Sequence, residues 1–280
     1  MSHVTAADGT RLAFDVRGRP GAPPVLMLQG LGADRTAGLM QRVWLSPRFR
    51  TIGLDNRGVG RSDKPQGRYH LDDMADDAIR VLDECGFESA HVVGHSMGGV
   101  IAQLLALRHP ERVDSLVLSA TACHHHMWRR ELLAEWASIA LERGMREVSR
   151  RSMRWLVGPR SLRRYWPALG IVGPLALNVP AHAFAAQARA ILDADDRLRD
   201  RLVEVRVPTL VVSGSQDILT PTADGEELAH HIPHADLVII SGAAHGFPVE
   251  HALTFNRLIS DFFGRVAAPA SDGIGRSDVK

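Results

Sequence analysis

Lysine and cysteine are both scarce in this sequence. Lysine stands only at Lys64 and Lys280, so arginine carries nearly all the positive charge, a skew that reflects coding composition more than function. Cys85 and Cys123 lie far apart and form no C-x-x-C pair, which argues against a disulfide framework and for a reducing, cytoplasmic setting. Net charge is scarce as well. A formal +1 lacks the single-sign excess of a nucleic-acid or membrane-surface binder, so neither partner is expected. Met1 to Thr10 has no basic segment followed by an apolar run, so no signal peptide is expected. An unbroken apolar span is missing too. The uncharged stretch Trp166–Ala188 contains Pro167, Pro174 and Pro180 with Gly170, Gly173 and Asn178, which would break a single membrane helix. There is no internal repeat and no low-complexity tract.

What is present suits a globular enzyme. A chain of 280 residues, 45% hydrophobic and 23% charged, is long enough for one large domain with a well-buried core. His3–Thr5 and Arg11–Val16 read as a hairpin around Asp8-Gly9. Val25–Leu28, Thr51–Leu54, His91–Gly94 and Val113–Leu118 are short apolar runs of the kind found in buried parallel strands. Helical patterns at Leu71–Gly86 and Met97–His109 alternate with them, the second stopped by Pro110. From about Cys123 to Leu202 the pattern is helical with no clear strand. Alternation resumes with Thr209–Val212, a helix near Asp224–His230, the strand Leu237–Ile240 and a final helix from about Val249 to Phe263. The expected architecture is an α/β core over residues 1–122 and 205–264, a helical cap inserted over 123–204, and a disordered tail over 265–280.

The chemistry centres on Gly94-His95-Ser96-Met97-Gly98, a G-x-S-x-G sequence set between an apolar strand and a long helix. That setting makes a nucleophile elbow: small neighbours let strand and helix approach, and the turn lifts the serine hydroxyl above the sheet edge. The plain alternative is a structural turn with an incidental serine. Together with Asp55-Asn56-Arg57-Gly58-Val59-Gly60-Arg61-Ser62 and His109-Pro110-Glu111-Arg112-Val113, the elbow resembles the α/β-hydrolase superfamily. Within it the chain is similar to the small esterase, enol-lactonase and cofactor-free haloperoxidase group. The resemblance covers most of residues 1–122 and 205–264 and does not extend to the cap.

The family's chain order is nucleophile, acid, base. Asp217 lies just past the end of Thr209–Val212 and is the expected acid, the bland alternative being a turn stabiliser ahead of Pro221. Asp195 and Asp196 in the cap, and Asp224 and Asp236, are weaker candidates. His245 is the expected base, placed after the last strand on the small-residue loop Ser241–Ala244. His234 and His251 fall on the wrong sides of that strand and helix, and His95 reads as a packing residue facing away from the hydroxyl. The oxyanion hole needs two converging donors. One is expected at the Met97 N–H, and the resemblance puts the other on Leu31. Relatives usually carry His-Gly where this chain has Gln29-Gly30, so Gln29 is expected to replace the imidazole's bracing hydrogen bonds.

Arg57 is expected to be structural. The run His124-His125-His126 cannot easily converge on one ion, so no metal is expected and a solvated cap entrance is the better account. The cap also holds Arg129, Arg130, Arg143, Arg146, Arg150, Arg151, Arg154, Arg160, Arg163 and Arg164 against few glutamates. Either they form a solvated surface, or they form a basic rim that attracts an anionic acyl substrate. The uncharged Trp166–Ala188 that follows suits the wall of an acyl pocket. The expected function is hydrolysis of a carboxylic ester, lactone or thioester of a small molecule by Ser96, His245 and Asp217, with no metal or organic cofactor. Perhydrolysis and carbon–carbon cleavage use the same machinery, and a non-catalytic ligand receptor is the rival from outside enzymes.

Overall fold

The computed structural model describes residues 1–164, 179–194 and 198–267. Eight strands form one sheet: β1 (Ser2–Thr5), β2 (Arg11–Arg17), β3 (Pro24–Leu28), β4 (Arg50–Leu54), β5 (Ala90–His95), β6 (Val113–Ser119), β7 (Thr209–Gly214) and β8 (Asp236–Ile240). Their spatial order is β1-β2-β4-β3-β5-β6-β7-β8. The β1–β2 hairpin and the β2–β4 pair are antiparallel, and every later pairing is parallel. β5 therefore sits centrally, with its carboxyl end at the sheet edge where parallel α/β proteins bind ligands.

Alternate residues of the parallel strands feed two cores. On one face Leu26, Leu28, Ile52, Val92, Leu116 and Leu118 pack with α2 (Leu71–Glu84) and α3 (Met97–Arg108). On the other, Val25, Met27, Val93, Val117, Leu210 and Val212 pack against Phe255, Ile259 and Phe263. Burial on both faces explains why these strands read as continuous apolar runs rather than alternating ones. The last helical pattern is two helices, α9 (Phe247–Glu250) and α10 (Ala252–Ala267), separated at His251. α10 runs past the expected tail boundary; 268–280 lie outside the described residues.

One helix was not expected. α1 (Leu39–Leu45) buries Gln41 and Arg42 together with Leu45, while Met40, Val43 and Trp44 face outward. Its polarity is inverted, so hydrophobic periodicity cannot find it. The Arg42 guanidinium lies under β4, in space that a side chain at Gly53 would fill, and pairs with Asp15.

Between β6 and β7 the described residues contain helices and no strand: α4 (Met127–Arg143), α5 (Met145–Leu156), α6 (Ala181–Leu192) and α7 (Leu198–Arg201), with α8 (Thr222–His231) following β7. α4, α5 and α6 cover the carboxyl edge of the sheet as a cap. Most of the uncharged stretch, Trp166–Asn178, lies outside the described residues, as do Asp195 and Asp196. No described helix is long and apolar enough to cross a membrane.

The β5–α3 turn is a tight join. A methyl group at Gly98 would overlap the Leu28 carbonyl of β3, and one at Gly94 would overlap the Gly98 carbonyl. Because backbone is the obstacle, Gly98→Ala is expected to destabilise the fold by at least about 1–3 kcal/mol, read as a lower urea midpoint at unchanged slope.

Candidate active site

Ser96 joins β5 to α3 with φ 55° and ψ −121°, a left-handed conformation that few non-glycine residues adopt. Its N–H donates to the Ser119 carbonyl at 2.9 Å and its carbonyl accepts from Thr121 Oγ1 at 2.8 Å. Pinned in this way, Ser96 Oγ lies 3.0 Å from His245 Nε2. His245 Nδ1 is 2.9 Å from Asp217 Oδ2. A carboxylate only accepts, so Nδ1 carries the proton and Nε2 is left to accept from the serine hydroxyl.

Asp217 is held from several sides. Its Oδ1 accepts the Leu219 and Thr220 N–H groups at 2.8 and 2.9 Å, and Thr220 Oγ1 donates to Oδ2 at 2.7 Å. Burial works to raise this carboxyl, but His245 and the bonds from His245 and Thr220 outweigh it and keep it below the ordinary carboxylate range. The structure thus brings the expected nucleophile, base and acid into one hydrogen-bonded chain. Asp224 pairs instead with Arg129, and Asp236 with Arg265.

Leu31 and Met97 line the same cavity as Ser96 and His245. Met97 is the first residue of α3, and Leu31 lies in the loop after β3. Among the described residues neither backbone N–H has a hydrogen-bond acceptor. The bracing of this loop differs from expectation. The Gln29 side chain makes no hydrogen bond among the described residues, and its amide packs against Gly38. The brace comes from the cap instead. Gln187 of α6 is fully buried, accepts the Gly32 N–H at 2.9 Å and donates from Nε2 to the Arg57 carbonyl at 2.8 Å. Arg57 is itself fixed, its Nε and Nη2 each 2.8 Å from Asp77 and its Nη1 2.8 Å from Asp8. The one signal of Gln187 in the sequence is a lone amide inside the alanine-rich run Ala181–Leu192.

Two histidine expectations need correction. His95 does not face away from the site: its ring centroid lies 5.2 Å from that of His245, its Nδ1 is 3.2 Å from Ser119 Oγ, and it lines the cavity. The sheet's alternation ends where the elbow turns. In the triple histidine, the rings of His124 and His126 meet edge to face, 5.1 Å apart, whereas His125 lines the cavity with a buried Nδ1 that has no hydrogen-bond partner among the described residues. His125 is thus partly exposed, with its ring turned to the cavity. The cavity itself has a volume of about 350 Å³, roofed by Leu133 and Trp136 of α4, Leu156 of α5 and Phe184 of α6.

The cap arginines divide. Arg150 and Arg151 bond to Glu147, and Arg151 also to Glu135, on the outside of α5. Arg129 is buried. No basic rim of α5 lines the cavity, which favours the solvated-surface reading of that helix.

Comparison with known proteins agrees with this architecture. A family model described as alpha/beta hydrolase fold matches residues 23–143, and one described as TAP-like protein matches 190–274. RutD of Azorhizobium caulinodans, assigned as a carbamate hydrolase, is 30% identical over 262 residues, covering 91% of this chain and 96% of that protein. The chain belongs to the α/β-hydrolase family. This hydrolase is also similar to the solved enol-lactonase of Burkholderia xenovorans, at 28% identity and TM-score 0.87 over 94% of this chain and 100% of that one. A thermophilic esterase from Thermogutta terrifontis matches at 27% identity and TM-score 0.87, over 96% and 100% of the two chains.

Replacing Gln187 tests the brace. Gln187→Leu leaves the Gly32 N–H and the Arg57 carbonyl buried and unpaired, at about 1–3 kcal/mol each. The expected result is a lower melting temperature together with faster amide exchange in the Gly30–Gly32 loop.

Proposed function

We propose that this protein is a serine hydrolase of carboxylic esters or lactones, working through an acyl-enzyme on Ser96. The observation that carries the reading is the Ser96–His245–Asp217 chain, with contacts of 3.0 and 2.9 Å, at the floor of an apolar cavity. Ser96 Oγ attacks the acyl carbonyl as its proton passes to His245 Nε2, and the new C–O bond pushes the carbonyl electrons onto oxygen. That oxyanion is met by the Leu31 and Met97 N–H groups, aided by the start of α3 beneath it. Collapse expels the alkoxide, which takes the proton from His245 and leaves the acyl group on Ser96. Water then attacks the ester carbonyl, giving its proton to His245, and the acid departs as Ser96 is re-protonated. Asp217 orients the imidazole and stabilises its charged form throughout.

The similarity to proteins named enol-lactonase and esterase supports oxygen esters as the substrate class. No step requires a metal or an organic cofactor. Cys85 and Cys123 are free thiols, in keeping with a cytoplasmic setting.

Ser96→Ala is expected to lower turnover of a p-nitrophenyl ester by roughly a thousandfold or more and to abolish labelling by a fluorophosphonate. Labelling that persists in the variant would place the nucleophile elsewhere. Asp217→Asn allows the wrong imidazole tautomer and is expected to cut kcat by at least about a hundredfold with the circular dichroism spectrum unchanged. Full activity in that variant would remove Asp217 from the mechanism.

A further inference from the structure

Among the described residues, the cavity above Ser96 offers a substrate no free charge. Among the described residues that line it, Arg129 is the one formally charged side chain. Its guanidinium is already committed. Asp224 pairs with it, the Leu219 carbonyl accepts from Nε at 2.9 Å, and the His124 carbonyl accepts from Nη1 at 3.0 Å. Both side chains of the pair are buried, at 2% and 3% exposure. Of the stretches outside the described residues, 165–178 contains no Asp, Glu, Lys or Arg in the sequence, whereas 195–197 and 268–280 do. His95 and His125 also line the cavity, and burial pushes each down to about 3, so both are neutral at ordinary pH. The lining has unused polar capacity of another kind. His125 Nδ1 and Gln41 Oε1 are buried without hydrogen-bond partners among the described residues.

An ionised carboxylate entering such a space gives up its hydration and finds no counter-charge, whereas a neutral ester or hydroxyl gives up far less. The arginines of α5 do not alter this: Arg150 and Arg151 bond to Glu147, Arg146 and Arg154 are exposed, none of the four lines the cavity, and salt screens their field. We propose that the cavity selects uncharged acyl substrates and rejects those bearing an ionised group on the acyl chain, Asp224 serving to mask the Arg129 charge. This inference rests on the serine-hydrolase reading of the same site. His125 and Gln41 suit a neutral polar group on the acyl chain, such as a hydroxyl, keto or second ester function.

Three p-nitrophenyl esters test it with the full-length enzyme at pH 8: the hexanoate, the adipate monoester with a free terminal carboxylate, and its methyl ester. After subtraction of spontaneous hydrolysis, kcat/KM for the carboxylate is expected to fall at least about a hundredfold below that for the methyl ester. A ratio within threefold of unity overturns the proposal. Asp224→Asn keeps the shape and removes the mask, and is expected to raise the carboxylate-to-methyl-ester ratio by about tenfold or more. An unchanged ratio in an active Asp224→Asn enzyme overturns the masking role. Should that variant fail to fold, Arg129→Met combined with Asp224→Leu removes both charges together and is expected to keep the wild-type ratio. A rise in that ratio counts against the proposal. Wild-type enzyme that turns over none of the three, or Ser96→Ala enzyme that turns over all, overturns the serine-hydrolase reading and this inference with it.

Discussion

Ser96 is held at φ 55°, and much of the core is arranged to keep it there. A non-glycine residue in that region costs of order 1–3 kcal/mol and persists only where its surroundings over-determine it. Here they do. β5 is paired on both sides, α3 is buried around most of its circumference, and the glycines at positions 94 and 98 let strand and helix close to backbone contact. Relaxing the turn would require parting β3, β5 and α3 at once. The same geometry aims the hydroxyl at the loop after β8 and puts the first N–H of α3 beside it. The remaining groups need only be delivered to that point by strands β3, β7 and β8, each of which ends at the same edge of the sheet.

The legible parts of this structure are those with local causes. Strands buried on both faces announce themselves as short apolar runs, and the elbow needs small residues at fixed offsets from its serine. Asp217 and His245 could be picked out because each follows a strand that points to one edge. What escaped was decided by partners distant in sequence. α1 turns its polar side inward because Arg42 finds Asp15 and Gln41 finds the Pro248 carbonyl. Gln187 reaches two backbone groups 155 and 130 residues away, which no periodicity encodes. Arg129 lies between these cases. It shares a helix face with Leu133, Trp136 and Ala140, all buried, so spacing along α4 marks it as an inward residue even though a count of cap charges hides it.

Charge on the cap therefore has two fates. On α5 Arg150 and Arg151 find Glu147 one turn away and remain toward the surface, where exposed pairs contribute little to stability. On α4 a single arginine crosses inward, meets Asp224 of α8 and ties the cap to the Asp217–Thr220 loop through the Leu219 carbonyl. The buried pair thus joins the cap to the segment that holds Asp217, while Gln187 joins it to the loop after β3. Cap and core meet through satisfied polar contacts as well as through apolar packing.

That attachment bears on how freely such enzymes exchange parts. A cap that touched the core only through apolar surface could be transplanted between homologues with modest repacking. In this chain a borrowed cap lacking an amide at the Gln187 position would leave a core N–H and a core carbonyl buried without partners. Chimeras that carry α6 along with the residue 30–32 and 56–58 loops preserve those bonds, and chimeras cut between them do not. The natural unit of recombination here is the cap helix together with the two core loops it clasps.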